Sequence, residues 1–255
     1  RRRTHVAQNT RHCHQKIRDF VDGVNSHIRM MKLPPGAIVN IDETNVDFDM
    51  PSNSTIDRRG VKSVSVRGTG CSQRATVLLG VSMDGEKLPP FIVFTGTRNG
   101  RVIREVTGDV GIRGFPTDVV MTVQKKAWVD NEVMLEWIEK VWRPWVASKF
   151  FDYSYLIMDC FKVHMQGNIL DALASCKTEA EFVVAGYTSK LQVLDVGVNR
   201  PFKVYLSDEF NKFVIDNPAK NPSRQHVAMW ISHAWKNLKA ETILNTWRHV
   251  GFNFQ

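Results

Sequence analysis

Three aspartates sit where apolar runs give way to polar ones: Asp42 in "VNIDET", Asp159 in "YLIMDCFKVHM" and Asp195 in "LQVLDVGVN". A carboxylate beside such neighbours is costly unless something partners it. Gathered in one place, three carboxylates repel and raise one another's pKa values. A divalent cation removes that cost. Oxygen ligands without a Cys or His pattern select Mg²⁺ or Mn²⁺ over Zn²⁺. Two such ions can activate a water and stabilise the leaving oxygen of a phosphodiester, which is a route to hydrolysis and strand transfer of nucleic acid. Taken singly, an Asp at a strand end is more often a turn or cap residue. The inference therefore rests on the three meeting.

Other residues near them have weaker claims. His164 follows Asp159 closely and could orient a scissile phosphate or a nucleophilic water; a hydrogen-bonded histidine at a helix start is an equal alternative. Glu43 adjoins Asp42, and strand alternation points it to the opposite face, so it reads as a neighbour with at most a supporting role. Asp47 and Asp49 read as loop acids. Cys160 turns away from Asp159 by the same alternation, and no His–Cys relay is evident, so it reads as a packed thiol. Lys190, Arg200 and Lys203 flank Asp195 and are candidate phosphate contacts. The "HCH" run at His12–His14 lacks zinc-site spacing and is discounted.

The elements that must carry these residues can be read from periodicity. Apolar positions Ile17, Phe20, Val21, Val24, Ile28 and Met31 predict a helix from about His14 to Lys32, stopped by "KLPPG". "AIVNIDET" predicts a first strand ending on its acids. "KSVSVRGTG" alternates like a strand. Thr76–Ser82 and Phe91–Thr95 read as strands joined by the hairpin signal "MDGEK". Residues 96–127 read as loop-rich. "NEVMLEWIEKVWRPWV" predicts an amphipathic helix capped by Asp130 or Asn131. "YSYLIMD" and "AEFVVAGYT" read as strands, with "NILDALASC" helical between them. The chain turns helical after Asp195, and residues from about 223 to 250 form one or two more helices. The tryptophans of these helices could stack bases, but aromatics at helical spacing are more often core, and core is the reading here. Antiparallel strands followed by strand–helix alternation predict an α/β fold: a mixed five-stranded sheet flanked by helices, with extra N- and C-terminal helices. That is the order of a ribonuclease H-like domain.

Composition sets outer bounds. With 255 residues and 43% hydrophobic content, the chain can bury a full core. A formal charge of +8 suits a polyanionic partner, nucleic acid above all. No apolar run is long enough to span a membrane, and "RRRTHVAQNT" is not a secretory leader. The four cysteines form no CxxC pair and read as reduced thiols.

"VNIDETNVDFD", "LLGVSMDGEKLPPFIVF", "LIMDCFKVHM" and "GYTSKLQVLDVGVNRPFK" resemble successive blocks of the DDE superfamily endonuclease domain, in the branch of the pogo and Tigger transposases and centromere protein B. The resemblance runs in order from about Val39 to Phe213. It implies a ribonuclease H-like fold, a metal site at Asp42, Asp159 and Asp195, and DNA cleavage and joining through two Mg²⁺ (or Mn²⁺) ions. The expected partner is DNA, with self-association on DNA ends a further expectation and a nuclear location if the source is eukaryotic. Cys160 stands where the family often has Asn or Ser, and Val193 where it usually has Pro. Relatives carry helix-turn-helix modules upstream, for which the residues before Asp42 are too few; the chain reads as a fragment or as a protein that lost its sequence reader. The expected layout is a basic linker and helix (1–36), the catalytic domain (37–215) and a helical extension of it (216–255). The alternative is a domesticated protein of this fold that binds nucleic acid without cutting. A ribonuclease of the same fold is more distant, because the blocks around Asp195 argue against it.

Overall fold

The computed structural model describes residues 10–51, 68–108, 114–149, 151–218 and 220–253. Helix α1 (Thr10–Met31) leads into strand β1 (Ile38–Asp47), after Pro34 and Pro35 have barred the helix from continuing. Strands β2 (Arg74–Ser82) and β3 (Phe91–Thr95) follow, then the short helix α2 (Arg101–Thr107) and strand β4 (Val120–Gln124). Helices α3 (Asn131–Trp137) and α4 (Arg143–Lys149) are joined by a π-helical turn, Ile138–Trp142. Strand β5 (Ser154–Asp159), helix α5 (Gly167–Ser175) and strand β6 (Thr178–Val183) come next. The short α6 (Thr188–Leu191), a second π-helical turn (Leu194–Val198), α7 (Asn199–Asp216), α8 (Arg224–Asn237) and α9 (Ala240–Val250) complete the chain.

The strands form one mixed sheet in the order β4-β3-β2-β1-β5-β6. β1 and β2 pair antiparallel, as do β2 and β3, whereas β1–β5, β5–β6 and β3–β4 are parallel. The β2–β3 connection makes its expected turn: Gly85 has φ +91°, and Asp84 accepts the Ser82 hydroxyl. The sheet corrects the expected five strands to six among the described residues. The added strand is β4, which lies inside the stretch read as loop-rich; its five residues are too short to show a period against the polar, Gly- and Pro-containing sequence around them. The expected strand over residues 62–70 falls largely on positions outside the described residues.

Alternation along the central strands splits the core in two. Ile38, Tyr155 and Ile157 face one side and pack with α1, α7, α8 and α9. Val39, Ile41, Leu156 and Met158 face the other side and pack with α3, α4 and α5. The tryptophans of the helices are core, as expected: Trp137, Trp142, Trp145, Trp230, Trp235 and Trp247 are all buried. Pro144 does not end its helix, because the wide turn before it absorbs the disrupted hydrogen-bond ladder. The C-terminal helices are pinned to the sheet by Lys87, whose ammonium donates to the carbonyls of Trp235 and Leu238 at 2.6 and 2.7 Å, closing the C-terminus of α8.

Candidate functional site

The central strand β1 does not stop at Asp42, as its sequence suggested; it continues to Asp47 along β2. Its other neighbour is the shorter one. The β1–β5 ladder pairs Ile38 with Tyr155, Val39 with Leu156 and Asn40 with Ile157. Continuing that register brings Asp42 level with Asp159, where β5 ends. Asp42 is therefore inside its own strand but at the edge of the ladder, facing the same side of the sheet as Asp159.

The third acid is brought in by a buried polar network. Asn40 donates to the Ile157 carbonyl and to the Gln192 side-chain oxygen, both at 3.0 Å, and its own oxygen accepts from the Leu194 N–H. Gln192 donates in turn to the Ile41 carbonyl at 2.6 Å. Asn40 and Gln192 are completely buried, and every polar atom in this chain of bonds has a partner. The network fixes the segment before the second π-helical turn against β1, and Asp195 follows on that turn. One turn further on, Asn199 donates to Asp42 at 3.0 Å and to Asp195 at 3.1 Å, so a single amide ties the two carboxylates together.

Asp159 has different company. His164 is fully buried, and its Nε2 lies 3.1 Å from Glu43 while its Nδ1 lies 2.9 Å from Oδ1 of Asp159. The second contact is out of line for a hydrogen bond; the aligned partner of Nδ1 is the Asp159 main-chain carbonyl at 3.3 Å. Ligand atoms of Glu43, Asp159 and His164 all lie within 4.8 Å of one another, close enough for one cation. The structure thus gathers the acids in two groups that adjoin at the end of the β1–β5 ladder: Asp42 with Asp195, and Asp159 with Glu43.

The electrostatics follow from this crowding. Burial, with the charges of Asp195, Glu43 and Asp159, raises the Asp42 carboxyl to about 8, against a lesser lowering by Asn199. Burial alone would lower His164, but its contacts with Asp159 and Glu43 and their charges outweigh that and raise it to about 10, so the ring is a cation at neutral pH. Oδ1 of Asp159 and Oδ1 of Asn199 are buried acceptors without a hydrogen-bond donor. Crowded oxygen acceptors, short of donors, are the donor set that a hard divalent cation completes. The residues fit such an ion.

Cys160 takes no part. Its thiol donates to the Val183 carbonyl at 3.0 Å, and burial together with the Asp159 charge raises its pKa, which keeps it protonated. Lys190, Arg200 and Lys203 are all exposed, on α6 and the first turns of α7, with no acid in ion-pair distance among the described residues. Asp49 caps its own loop by accepting from the Thr69 and Gly70 N–H groups.

The model of the DDE superfamily endonuclease family matches residues 72–247, about two thirds of the chain, including Asp159 and Asp195. The chain belongs to the DDE superfamily. A mouse relative, "Pogo transposable element with KRAB domain", is 28% identical over 227 residues, which is 85% of this chain and 36% of that protein. The chain thus spans little more than a third of that relative. Among solved structures, the Mos1 mariner paired end complex with Mn superposes with a TM-score of 0.61 at 11% identity, covering 98% of this chain and 62% of the other. The Mos1 paired end complex with Mg gives 0.61 at 13% identity with the same coverage. At these identities the likeness shows a shared ribonuclease H-like fold.

Within this DDE fold, two residues of the site carry more weight than their sequence positions suggested. Asn199 stands in no acid motif; its only sequence signal is a polar side chain four residues after Asp195, one helical turn away. Glu43 does point to the opposite face from Asp42, as alternation required, but His164 reaches round the end of β5 to join that face to Asp159.

Proposed function

We propose that this chain is the catalytic domain of a transposase-type DNA endonuclease and strand transferase, with Asp42, Asp159 and Asp195 as ligands for two Mg²⁺ or Mn²⁺ ions. The observation that carries the reading is the level placement of Asp42 and Asp159 on adjacent parallel strands, with Asp195 tied to Asp42 through Asn199. When bound, the ions supply Lewis acidity, activating a water or a DNA 3′-hydroxyl and neutralising charge on the leaving oxygen. The chain's own residues do the rest. Asn199 holds Asp42 and Asp195 at a fixed separation. His164, buried and cationic, offsets the charge of Asp159 and Glu43 and sets their orientation; it acts as a positioning residue because no DNA atom can reach it. Asp195, exposed on its turn, faces the side from which a DNA backbone approaches. Lys190, Arg200 and Lys203 meet phosphates along that approach. In this reading the domain works on nuclear DNA and self-associates to hold two DNA ends together.

The test is metal-dependent nicking. The protein is incubated with end-containing DNA and Mg²⁺ or Mn²⁺, beside an Asp159→Ala variant. Nicking that requires the metal and disappears in the variant supports the enzyme. DNA binding without nicking in both proteins would replace it with the domesticated binding protein.

A further inference from the structure

Trp128 is 57% exposed and Phe161 is 45% exposed, although all six helical tryptophans are buried. Both aromatics stand beside the carboxylates. Together with Glu43, Asp159, Asn45 and Thr76 they line one cavity of about 230 Å³. Its floor is the polar continuation of β1 and β2, where Asn45 pairs with Thr76 beyond the part of the sheet that α3 and α5 cover. Its walls come from two strand-to-helix connections, Trp128 from β4–α3 and Phe161 from β5–α5.

The Trp128 connection is built to hold that ring outward. The Gln124 side-chain oxygen accepts from the main-chain N–H groups of Lys126 and Trp128 at 2.6 and 3.2 Å, and its amide donates to Asp130 at 3.0 Å. Between them Ala127 is held at φ +57°, a left-handed conformation that a non-glycine residue adopts only when its surroundings impose it. Lys126 places its ammonium 5.4 Å from the Trp128 ring centroid, adding positive charge at the cavity mouth. Phe161 is fixed edge-on against the buried His164, with centroids 5.7 Å apart.

We propose that this cavity receives one unstacked nucleobase of the DNA next to the scissile phosphate, with Trp128 and Phe161 as its stacking surfaces. The inference rests on the DNA reading of the carboxylate site and adds a binding subsite to it. The occupant follows from the surroundings. The cavity is smaller than drug-sized ligand pockets, which start at roughly 300 Å³, and suits one flat ring system. Its rings are planar and exposed, its floor offers an amide and a hydroxyl for a base edge, and its rim is shared with two acids of the carboxylate site, Glu43 and Asp159. A base whose phosphate lies at the Asp42, Asp159 and Asp195 site has this cavity beside it. Stacking on aromatic side chains tolerates any base, so the cavity sets the trajectory of the strand more than its sequence.

The experiment measures DNA affinity and nicking for the wild-type protein and for Trp128→Ala, Phe161→Ala and Trp128→Phe. The duplexes carry the intact cleavage site or one abasic nucleotide, moved in turn through the flanking positions. Melting temperatures check that these exposed positions leave the fold intact. The expected result is a roughly five- to hundredfold loss of affinity in each alanine variant on intact DNA, with near wild-type affinity for Trp128→Phe. At one abasic position the wild type should fall to the level of the alanine variants, and those variants should lose nothing more. Alanine variants that bind like wild type overturn the subsite, as does an equal loss on intact and abasic DNA at every position. Wild-type nicking alongside either result leaves the endonuclease reading standing, whereas a wild type that does not bind DNA overturns both.

Discussion

The two halves of the carboxylate site are held in different ways. Asp42 and Asp195 are set by neutral amides: Asn199 bridges them, and the fully buried Asn40–Gln192 network locks the turn that carries Asp195 to the central strand. Asp159 and Glu43 are set by one buried cation, His164, at the end of a strand and beside two connecting segments. The first half is continuous with the core, so disturbing it disturbs the fold. The second half is held by charge at a strand end, so disturbing it changes ion binding and chemistry while the sheet persists. One site thus joins a rigid anchor to an adjustable wall.

The largest expected effect falls on both halves alike. Asp195→Ala and Asp159→Ala should each lower metal-dependent nicking by roughly a thousandfold, the scale of losing a principal stabiliser of transition-state charge. Their thermal stabilities should match or exceed wild type in the absence of metal, because each removes a crowded negative charge. A variant that cuts at more than a tenth of the wild-type rate would show that its carboxylate is not a ligand.

Stability then separates the halves. Asn40→Ala strands Gln192, the Ile157 carbonyl and the Leu194 N–H in the core, and it should cost about 3 kcal/mol by denaturant midpoint. His164→Gln should cost less stability than that and instead weaken Mn²⁺ affinity by roughly ten- to a hundredfold, the usual effect of removing a group that orients a ligand. If His164→Gln unfolds the protein while Asn40→Ala is tolerated, the contrast between the halves is reversed.

The last contrast is a pH slope. Asp42 holds its proton up to about pH 8 when folded, against about 3.9 for an unfolded Asp. The folded state therefore binds more protons across that window, and metal-free stability should fall as pH rises from about 4 to about 8. Asp42→Asn should flatten the contribution, and so should saturating Mg²⁺. Denaturation midpoints in chelator, measured at several pH values, read it directly; an unchanged slope in Asp42→Asn would place the proton elsewhere.

The contrast also explains what could be read from the sequence. Strands β2, β3 and β5, the Asp-Gly turn and the Asp130 cap that accepts from the Val133 N–H all rest on local periods and turn chemistry, and they were legible. So was the buried state of the helical tryptophans. Strand β4 was not, because five residues at the sheet edge carry no period of their own. Asn199 and Gln192 were not, because their value lies in partners more than 150 positions away along the chain. Alternation placed Glu43 on the correct face, yet it could not show a histidine reaching round a strand end. Trp128 was invisible for the opposite reason: its loop carries no pattern, and only the strained Ala127 and the Gln124 brace show that its exposure is built in.

The central claim is that Asp42, Asp159 and Asp195 together hold the divalent ions. Anomalous diffraction at the manganese edge, from crystals of the protein soaked in Mn²⁺, tests it most directly. The account predicts manganese density bounded by carboxylate oxygens of Asp42 and Asp159, with Asp195 also a ligand. Density confined to Glu43, Asp159 and His164, with Asp42 and Asp195 left out, would contradict it.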